Sequence, residues 1–362
     1  MLIFCLCREL HNWKLLPSYA EAFQRRGCEF HYLDIDTAFD VPLEKLIADL
    51  PAVPDLILHF DSGWPLLPSG LAESPIPTMH FDVDTHMFLK RRMRWASLFD
   101  IVSVCHAGYE KIFQERGHPG AFLLGHAARP DFFNDERERQ FDLGWVGTIE
   151  GEIYARRRKW IPQLAAAFHM NDWQKSYTLK EVNEIYRASK IVVNFSRDDF
   201  PEDANMRVFE VLASGPLLIT SLPSQLTQFG YVEGKHFVGY RDDSEVIPLV
   251  KRLLADEPLR AQIVAAGQEF TRLHHTYDSR VATILDQLER VGKRKLAPAR
   301  QWRKSRVHFA YLDFFSGYAQ PRCAWRQYRT IVGRGLQETM QGAAYLAAAW
   351  ARNLRITGQI VP

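Results

Sequence analysis

Along the first third of the chain, short apolar runs alternate with stretches in which apolar residues recur every three to four positions. This is the pattern of strands and helices taking turns around a parallel sheet. Strands are predicted at Leu2 to Cys7, Glu29 to Asp34, Asp55 to Phe60, Thr78 to Phe81, Asp100 to Cys105 and Ala121 to Leu124. Between the first two lies a helix opened by Pro17 and closed by Gly27, with Tyr19 and Phe23 on its apolar side. Further helices are expected near 42–50, 84–97 and 107–116.

The run GHAARPDFFNDERERQ at 125–140 breaks this rhythm with Gly, Pro, Asn and a charge cluster, as a connector between domains does. A second α/β series follows. It comprises strand Phe141 to Val146, helix Tyr154 to Phe168, a helix opened by the capping box Thr178-x-x-Glu181 and running through Ser189, strand Ile191 to Phe195, helix Asn205 to Ala213 ended by Gly215, strand Leu217 to Thr220 and a short strand His236 to Tyr240. Helices near 243–254, 257–273 and 278–291 complete it. The expected class is α/β: two doubly wound, Rossmann-like domains at 1–125 and 126–290 facing across a cleft, then a basic, mainly helical extension at 291–362. Ligands of such folds sit beyond the carboxyl ends of the strands.

Composition narrows the class. With 47% hydrophobic and 24% charged residues in 362, the chain is neither disordered nor collagen-like. Val211 to Val232 is interrupted by prolines and polar residues, and Thr339 to Ala351 is too short to span a bilayer. The start, MLIFCLCREL, lacks a basic n-region and reads as a first strand rather than a secretory signal. Cys5, Cys7, Cys28, Cys105 and Cys323 show no zinc or redox spacing, so buried thiols in a reducing cytoplasm are expected. Neither G-x-G-x-x-G nor G-x-x-x-x-G-K-[ST] occurs, which removes the fingerprints of nicotinamide-cofactor and P-loop proteins.

The net charge of +2 conceals an asymmetry: residues 291–362 carry thirteen Lys/Arg against only Asp313 and Glu338, a net of +11, leaving −9 on the remainder. Arg322, Arg326 and Arg329 fall at helical spacing with Trp325 and Tyr328 between them, and Trp302, Tyr311, Phe314 and Phe315 add aromatic bulk nearby. Such a face suits an anionic membrane surface. Nucleic acid is not expected, because no fold-level motif for it appears, while docking of the basic helices onto the acidic body is the plain structural alternative.

The chemistry concentrates in SKIVVNFSRDDFPEDANMRVFEVLASGPLLIT, Ser189 to Thr220. A strand ends near Phe195, a polar loop follows, and a helix opens at Asn205 with free N–H groups and the positive end of its dipole turned to that loop, an arrangement suited to phosphate. Arg207 in the first turn can pair with a diphosphate, and Glu210 one turn on can hold hydroxyls of the same ligand. Glu202 stands eight positions before Glu210. Gly147, in Trp145-Val-Gly-Thr148, leaves room for backbone to approach a ligand, and Arg156 is the member of the Arg156 to Lys159 run chosen as a diphosphate partner, the rest reading as a solvated face. Helix-dipole preference for acids is the bland reading of Glu210.

The run NMRVFEVLASGPLLIT, followed by EFTRLHHTYDSRVATIL at 269–285, resembles the C-terminal half of GT-B glycosyltransferases of the "glycosyl transferases group 1" kind, including spore-maturation CgeB-like proteins. Glu202-DANMRVF-Glu210 resembles the Glu-x7-Glu element of retaining members. The resemblance covers roughly 141–290. It implies that Glu210 holds the nucleotide ribose and Glu202 lies near the donor sugar. The loop reads PEDAN rather than E-x-F-G, so Asp203 competes with Glu202 for that place, and CRELHNW after the first strand lacks the glycine pair of many retaining members.

In the first domain, Asp61-Ser-Gly-Trp64-Pro and Asp82-Val-Asp84-Thr-His86 follow strands at their carboxyl ends. Asp82, Asp84 or His86 can serve as base toward a hydroxyl acceptor in an inverting transfer, while Asp84 or Thr85 as a helix N-cap is the alternative. The resulting expectation is a glycosyltransferase that moves a sugar from a nucleotide-diphosphate donor to a glycan or lipid-linked acceptor, with no cofactor and no metal. It would be cytoplasmic, or peripheral at the inner membrane face. A nucleotide-sugar epimerase and a non-catalytic polyanion-binding protein are the other readings.

Overall fold

The computed structural model describes residues 1–7, 15–33, 41–61, 66–133, 138–292, 294–334 and 336–358. The CRELHNW segment from residue 8 on, the Asp34 end of the second expected strand, Ser62 to Pro65, residues 134–137, Lys293 and the side chain of Arg355 lie outside them. The described chain divides into two compact units, Met1–Leu124 with Thr283–Pro362, and Gly125–Ala282.

The first unit holds β1 (Leu2–Leu6), α1 (Leu16–Arg25), β2 (Glu29–Tyr32), α2 (Leu43–Ala48), β3 (Leu56–Phe60), β4 (Thr78–Asp82), α3 (Leu89–Ala96), β5 (Ile101–Val104), α4 (Tyr109–Glu115) and β6 (Ala121–Leu123). All pairings are parallel, in the order β2-β1-β3-β4-β5-β6. Residues of β1, β3, β4 and β5 are buried along their whole length, so both faces of the sheet are covered, as continuous apolar runs require. The helix expected over 84–97 starts five residues late. The Met87 amide bonds the Asp84 carbonyl at 2.9 Å to close a turn, and Phe88 adopts a left-handed φ of 56° at the N-cap. Neither Asp84 nor Thr85 therefore caps α3, and His86 stands in the turn before it.

The second unit runs from β7 (Phe141–Gly144) through α5 (Ala155–Ala167), α6 (Leu179–Arg187), β8 (Ser189–Asn194), α7 (Met206–Ser214), β9 (Leu217–Ser221), β10 (Val238–Tyr240), α8 (Val246–Ala255), α9 (Glu257–His274) and the start of α10 (Tyr277–Val291). Its four parallel strands are ordered β10-β9-β8-β7. The Thr178/Glu181 capping box forms in full, and Gly215, at φ 88°, ends α7 in the left-handed region that glycine adopts without strain. Helix α10 carries the chain back to the first unit.

There the sequence expectation of a separate extension fails. Helices α11 (Lys304–Gly317), α12 (Pro321–Ile331) and α13 (Leu336–Gly358) contribute Val307, Phe309, Tyr311, Leu312, Phe314 and Phe315 to the same apolar core as Phe4, Ile57 and Phe99. The aromatic residues expected beside the cationic stripe are thus mostly core. The docking expected as the plain alternative is present, with charge pairs of both senses: Arg300 of the segment lies 3.9 Å from buried Asp100 of the body, and the reverse pairing occurs as well. Asp313, fully buried, accepts from Arg91 Nε at 2.6 Å and is bonded by Arg94, so the segment's aspartate grips two arginines of the body. Arg322, Arg326 and Arg329 remain exposed on α12 beside exposed Trp325. Among the described residues, no helix is long and apolar enough to cross a membrane.

Candidate functional site

Parallel strands of the second unit end together at Gly144, Asn194, Ser221 and Tyr240. Asn194, the last residue of β8 and fully buried, organises this edge. Its Nδ2 donates to Thr220 Oγ1 at 3.0 Å and Ser196 Oγ at 3.2 Å, its carbonyl accepts from the Tyr240 hydroxyl at 3.2 Å, and its Oδ1 accepts from Arg207 Nη1 at 2.9 Å. With both ends of the amide committed, Arg207 is aimed across the end of β8 instead of into solvent.

Gly147 lies against the same guanidinium. A Cβ there would stand 2.7 Å from Arg207 Nη2 and 3.1 Å from Cζ2 of buried Trp145, so the missing side chain makes room for the arginine. Asn205 occupies the N-cap of α7 in extended conformation but forms no capping bond with its side chain; its Nδ2 reaches Asn194 Oδ1 and Ser196 Oγ, each at 3.4 Å. The Val208 amide bonds the Asn205 carbonyl at 3.1 Å, and the Asn205 side chain leaves the amides of Met206 and Arg207 uncapped.

Arg156, the cationic partner chosen from the sequence, is engaged by an acid. Arg156 pairs with Asp243 (Nε to Oδ2, 2.9 Å) and its Nη2 lies 3.4 Å from the Tyr240 hydroxyl. Arg157, 4% exposed, points inward instead. It donates to the carbonyls of Phe195 (2.9 Å) and Thr148 (3.0 Å) and stacks 4.1 Å from the Tyr154 ring. Burial first, and then the charge of Arg207, pull the Arg157 guanidinium down to about 10. Among the described residues neither Arg157 nor Arg207 has a carboxylate within 4.0 Å. Asp198, the acid near Arg157, bonds the first amide of α5 at 2.6 Å. Two like charges held close by neutral acceptors form a site that a bound anion relieves.

Glu210 is 4% exposed on the inner face of α7. With Arg207 it lies within electrostatic reach of the Tyr186 phenol, which burial holds above its ordinary value. Glu202 is half-buried in the loop, its carbonyl accepting from the Gln225 amide at 2.8 Å, whereas Asp203 is 8% exposed and turned inward. The structure thus brings Arg207, Asn205 and Gly147 together, keeps Glu210 beside them, and holds Arg156 at the same strand edge in a pair with Asp243. Sequence reasoning missed Arg157 and Asn194. A signal for Arg157 was present: it shares the i, i+4, i+7 face of α5 with Ile161 and Leu164, both buried.

In the first unit, Asp82 ends β4 completely buried, bonded with Asp61 to a single guanidinium, that of Arg92. Burial pushes Asp82 up to about 7 against the pull of Arg92. Burial acts the same way on Asp61, but Arg92, His80 and the Tyr318 hydroxyl, which donates to Oδ1 at 2.8 Å, hold it below its ordinary value. Two carboxylates on one cation are thereby driven apart. Asp82 is a buried network group, not an exposed base. Asp84 and His86 are half-buried, the His86 ring edge-on to His106 at 4.9 Å. Below, His59 Nε2 donates to the Leu66 carbonyl at 2.8 Å, so in its neutral form its Nδ1 accepts from His80 Nδ1 at 2.9 Å.

Residues 149–286 match the family described as Glycosyl transferase-like. No curated protein matches the chain. Solved structures with a similar fold include Anabaena HepE in complex with UDP and glucose, at 10% identity over 80% of this chain and 100% of that one, with a TM-score of 0.55. Sucrose-phosphate synthase from Thermosynechococcus elongatus is similar at 13% identity over 80% and 99%, TM-score 0.54. A glycosyltransferase from Rickettsia africae is similar at 10% identity over 81% and 99%, TM-score 0.54. The fold class is therefore α/β with two Rossmann-like parallel-sheet units, that of GT-B glycosyltransferases.

Proposed function

We propose that the chain is a glycosyltransferase whose second unit holds a nucleotide-diphosphate sugar. The observation that carries this reading is the pair of guanidiniums, Arg157 and Arg207, fixed by carbonyls and Asn194 at the carboxyl ends of β7 and β8. In the transfer, the bond from the sugar C1 to the diphosphate oxygen breaks while an acceptor hydroxyl bonds to C1 and gives up its proton. Charge grows on the leaving diphosphate, and preorganised guanidiniums with the first amides of α7 stabilise it. This assigns leaving-group stabilisation to side chains and backbone, with no metal or cofactor in the proposed step.

Glu210 is proposed to hold the ribose hydroxyls. Glu202, the more accessible of the two loop acids, is proposed to face the hexose, with Asp203 supporting the loop. The acceptor, a glycan or lipid-linked hydroxyl, is assigned to the first unit, where Asp84 and His86 are the candidates for base. The exposed Arg322, Arg326, Arg329 and Trp325 suit an anionic lipid surface. HepE has been solved with UDP and with UDP-glucose, so uridine donors are the first to examine.

Calorimetry with uridine, UDP and UDP-glucose, alongside the guanosine and adenosine series, tests the reading. Arg207→Ala should weaken diphosphate binding about 10- to 150-fold and leave the nucleoside untouched, since a charge-assisted bond is worth about 1.5–3 kcal/mol. Glu210→Ala should weaken all ligands containing the ribose. Donor incubated alone should yield no sugar isomer. Unchanged affinity for every ligand in both variants would refute the assignment.

A further inference from the structure

The first unit contains a cavity of about 880 Å³ between α3, the turn that follows α4 and the 295–306 segment. It opens where α3 runs into β5 and where residues 116–119 lead into β6, hence at the amino ends of those strands. Asp82, Asp84 and His86 belong to the opposite end of the sheet. The cavity volume is in the range of small-molecule sites.

Its lining carries six cations, Lys90, Arg94, Arg116, Lys295, Arg300 and Arg306, and no carboxylate. Two of the six are compensated from beneath: Arg94 by Asp313, and Arg300 by Asp100 at 3.9 Å, both acids being fully buried. Among the described residues, the other four have no carboxylate within 4.0 Å. Arg116 Nη1 reaches only the Met93 sulfur, at 3.8 Å, Lys295 donates to the Pro75 carbonyl, and Arg306 lies 4.1 Å over the Trp302 ring. Burial and the charge of Arg300 together hold the Lys295 ammonium below its ordinary value, against the pull of Asp100. Four cations without a carboxylate within 4.0 Å among the described residues, converging from three separate segments, raise the local potential, and a multiply charged anion is what such a concavity concentrates. Guanidinium forks favour phosphoryl oxygens, and the apolar flank of Met93, Leu296 and Trp302 admits the uncharged part of a ligand.

We propose that this cavity binds a ligand carrying two or more phosphoryl charges, either a free polyphosphate ester or the headgroup of an anionic lipid. It is separate from the donor site, which lies in the other unit.

The test uses the full chain and inorganic tripolyphosphate as the probe, followed by calorimetry at low salt, in the wild type, in Arg207→Ala and in the triple variant Lys90→Ser/Arg116→Ser/Arg306→Ser. A binding event that survives Arg207→Ala and weakens at least about 10-fold in the triple variant is expected. The three substituted residues are exposed, and equal thermal melting of the triple variant establishes that its fold is intact. Arg116→Glu alone, in a turn, provides a second route. Cosedimentation with vesicles containing cardiolipin, whose headgroup carries two phosphodiester charges, but not with phosphatidylcholine vesicles, that is lost in the triple variant assigns the headgroup. Tripolyphosphate binding without cosedimentation assigns a free ligand. Loss of all tripolyphosphate binding in Arg207→Ala, binding unaltered in the triple variant, or preferential capture of duplex DNA by these residues would overturn the proposal.

Discussion

Asp313 offers the sharpest test of how the C-terminal helices are held. Its carboxylate is completely buried, takes the Nε of Arg91 at 2.6 Å and is shared with Arg94, while Arg91 also lies 5.6 Å from Trp95 and 5.7 Å from Tyr345. Asp313→Asn keeps the shape but removes the charge facing two guanidiniums. Breaking a buried pair by deleting one partner costs about 3–5 kcal/mol. The arginine side chains are 18% and 28% exposed and can turn toward water, so the lower end, about 3 kcal/mol, is expected. In a domain of about 200 residues that corresponds to a fall in Tm of roughly 6–12 °C. Urea unfolding followed by tryptophan fluorescence, combined with a double-mutant cycle against Arg91→Gln and Arg94→Gln, reads the coupling directly. Nucleotide affinity should not change, because the proposed donor residues lie in the other unit. A loss below about 1 kcal/mol with additive double mutants would show that aromatic packing alone docks the helices.

Arg157→Ala should weaken nucleoside diphosphate binding about 10- to 150-fold, whereas Arg156→Ala, which removes a partly exposed pair with Asp243, should leave it unchanged; calorimetry on the two variants decides. Asp82, pushed up to about 7, holds a proton more tightly in the folded than in the unfolded chain. Its contribution to stability is therefore present below the ordinary carboxylate range and lost as pH rises through about 7, so urea midpoints measured over this window should fall in the wild type and flatten in Asp82→Asn. An identical slope in the variant would assign the dependence elsewhere. None of the five cysteines is in a disulfide and all are buried, with burial raising Cys5 well above its ordinary value. A maleimide should label the native protein slowly at every position and all five thiols after denaturation; rapid labelling of Cys5 in the native protein would contradict the packing of β1.

Parallel strands were legible because burial on both faces writes them as unbroken apolar runs, and β3 lies within one residue of its expected span. The run NMRVFEVLASGPLLIT likewise became a helix, a left-handed glycine and a strand. Helix starts were less legible: the delay before α3 depends on Phe88 adopting φ 56°, which no periodicity announces. Four basic residues in a row, Arg156 to Lys159, read as a largely solvated face, which conceals that Arg157 falls in phase with Ile161 and Leu164. Net charge misled most about the C-terminal segment. A total of +11 says nothing about where one aspartate points, and that aspartate joins the segment to the body while the stripe Arg322, Arg326 and Arg329 faces outward.

The return of α10 to the first unit has a consequence for the order in which the protein comes into being. Synthesis delivers Met1 to Leu124 first, yet the core into which Phe4 and Phe99 pack is missing Phe309, Leu312 and Phe315 until nearly two hundred further residues have been made. The second unit, uninterrupted in the chain, can close around β7 to β10 while its elder neighbour is still waiting with an open apolar face. The unit whose synthesis begins earlier is thus the later to be finished, and ribosome-bound or C-terminally shortened chains are the species most exposed to chaperones and proteases.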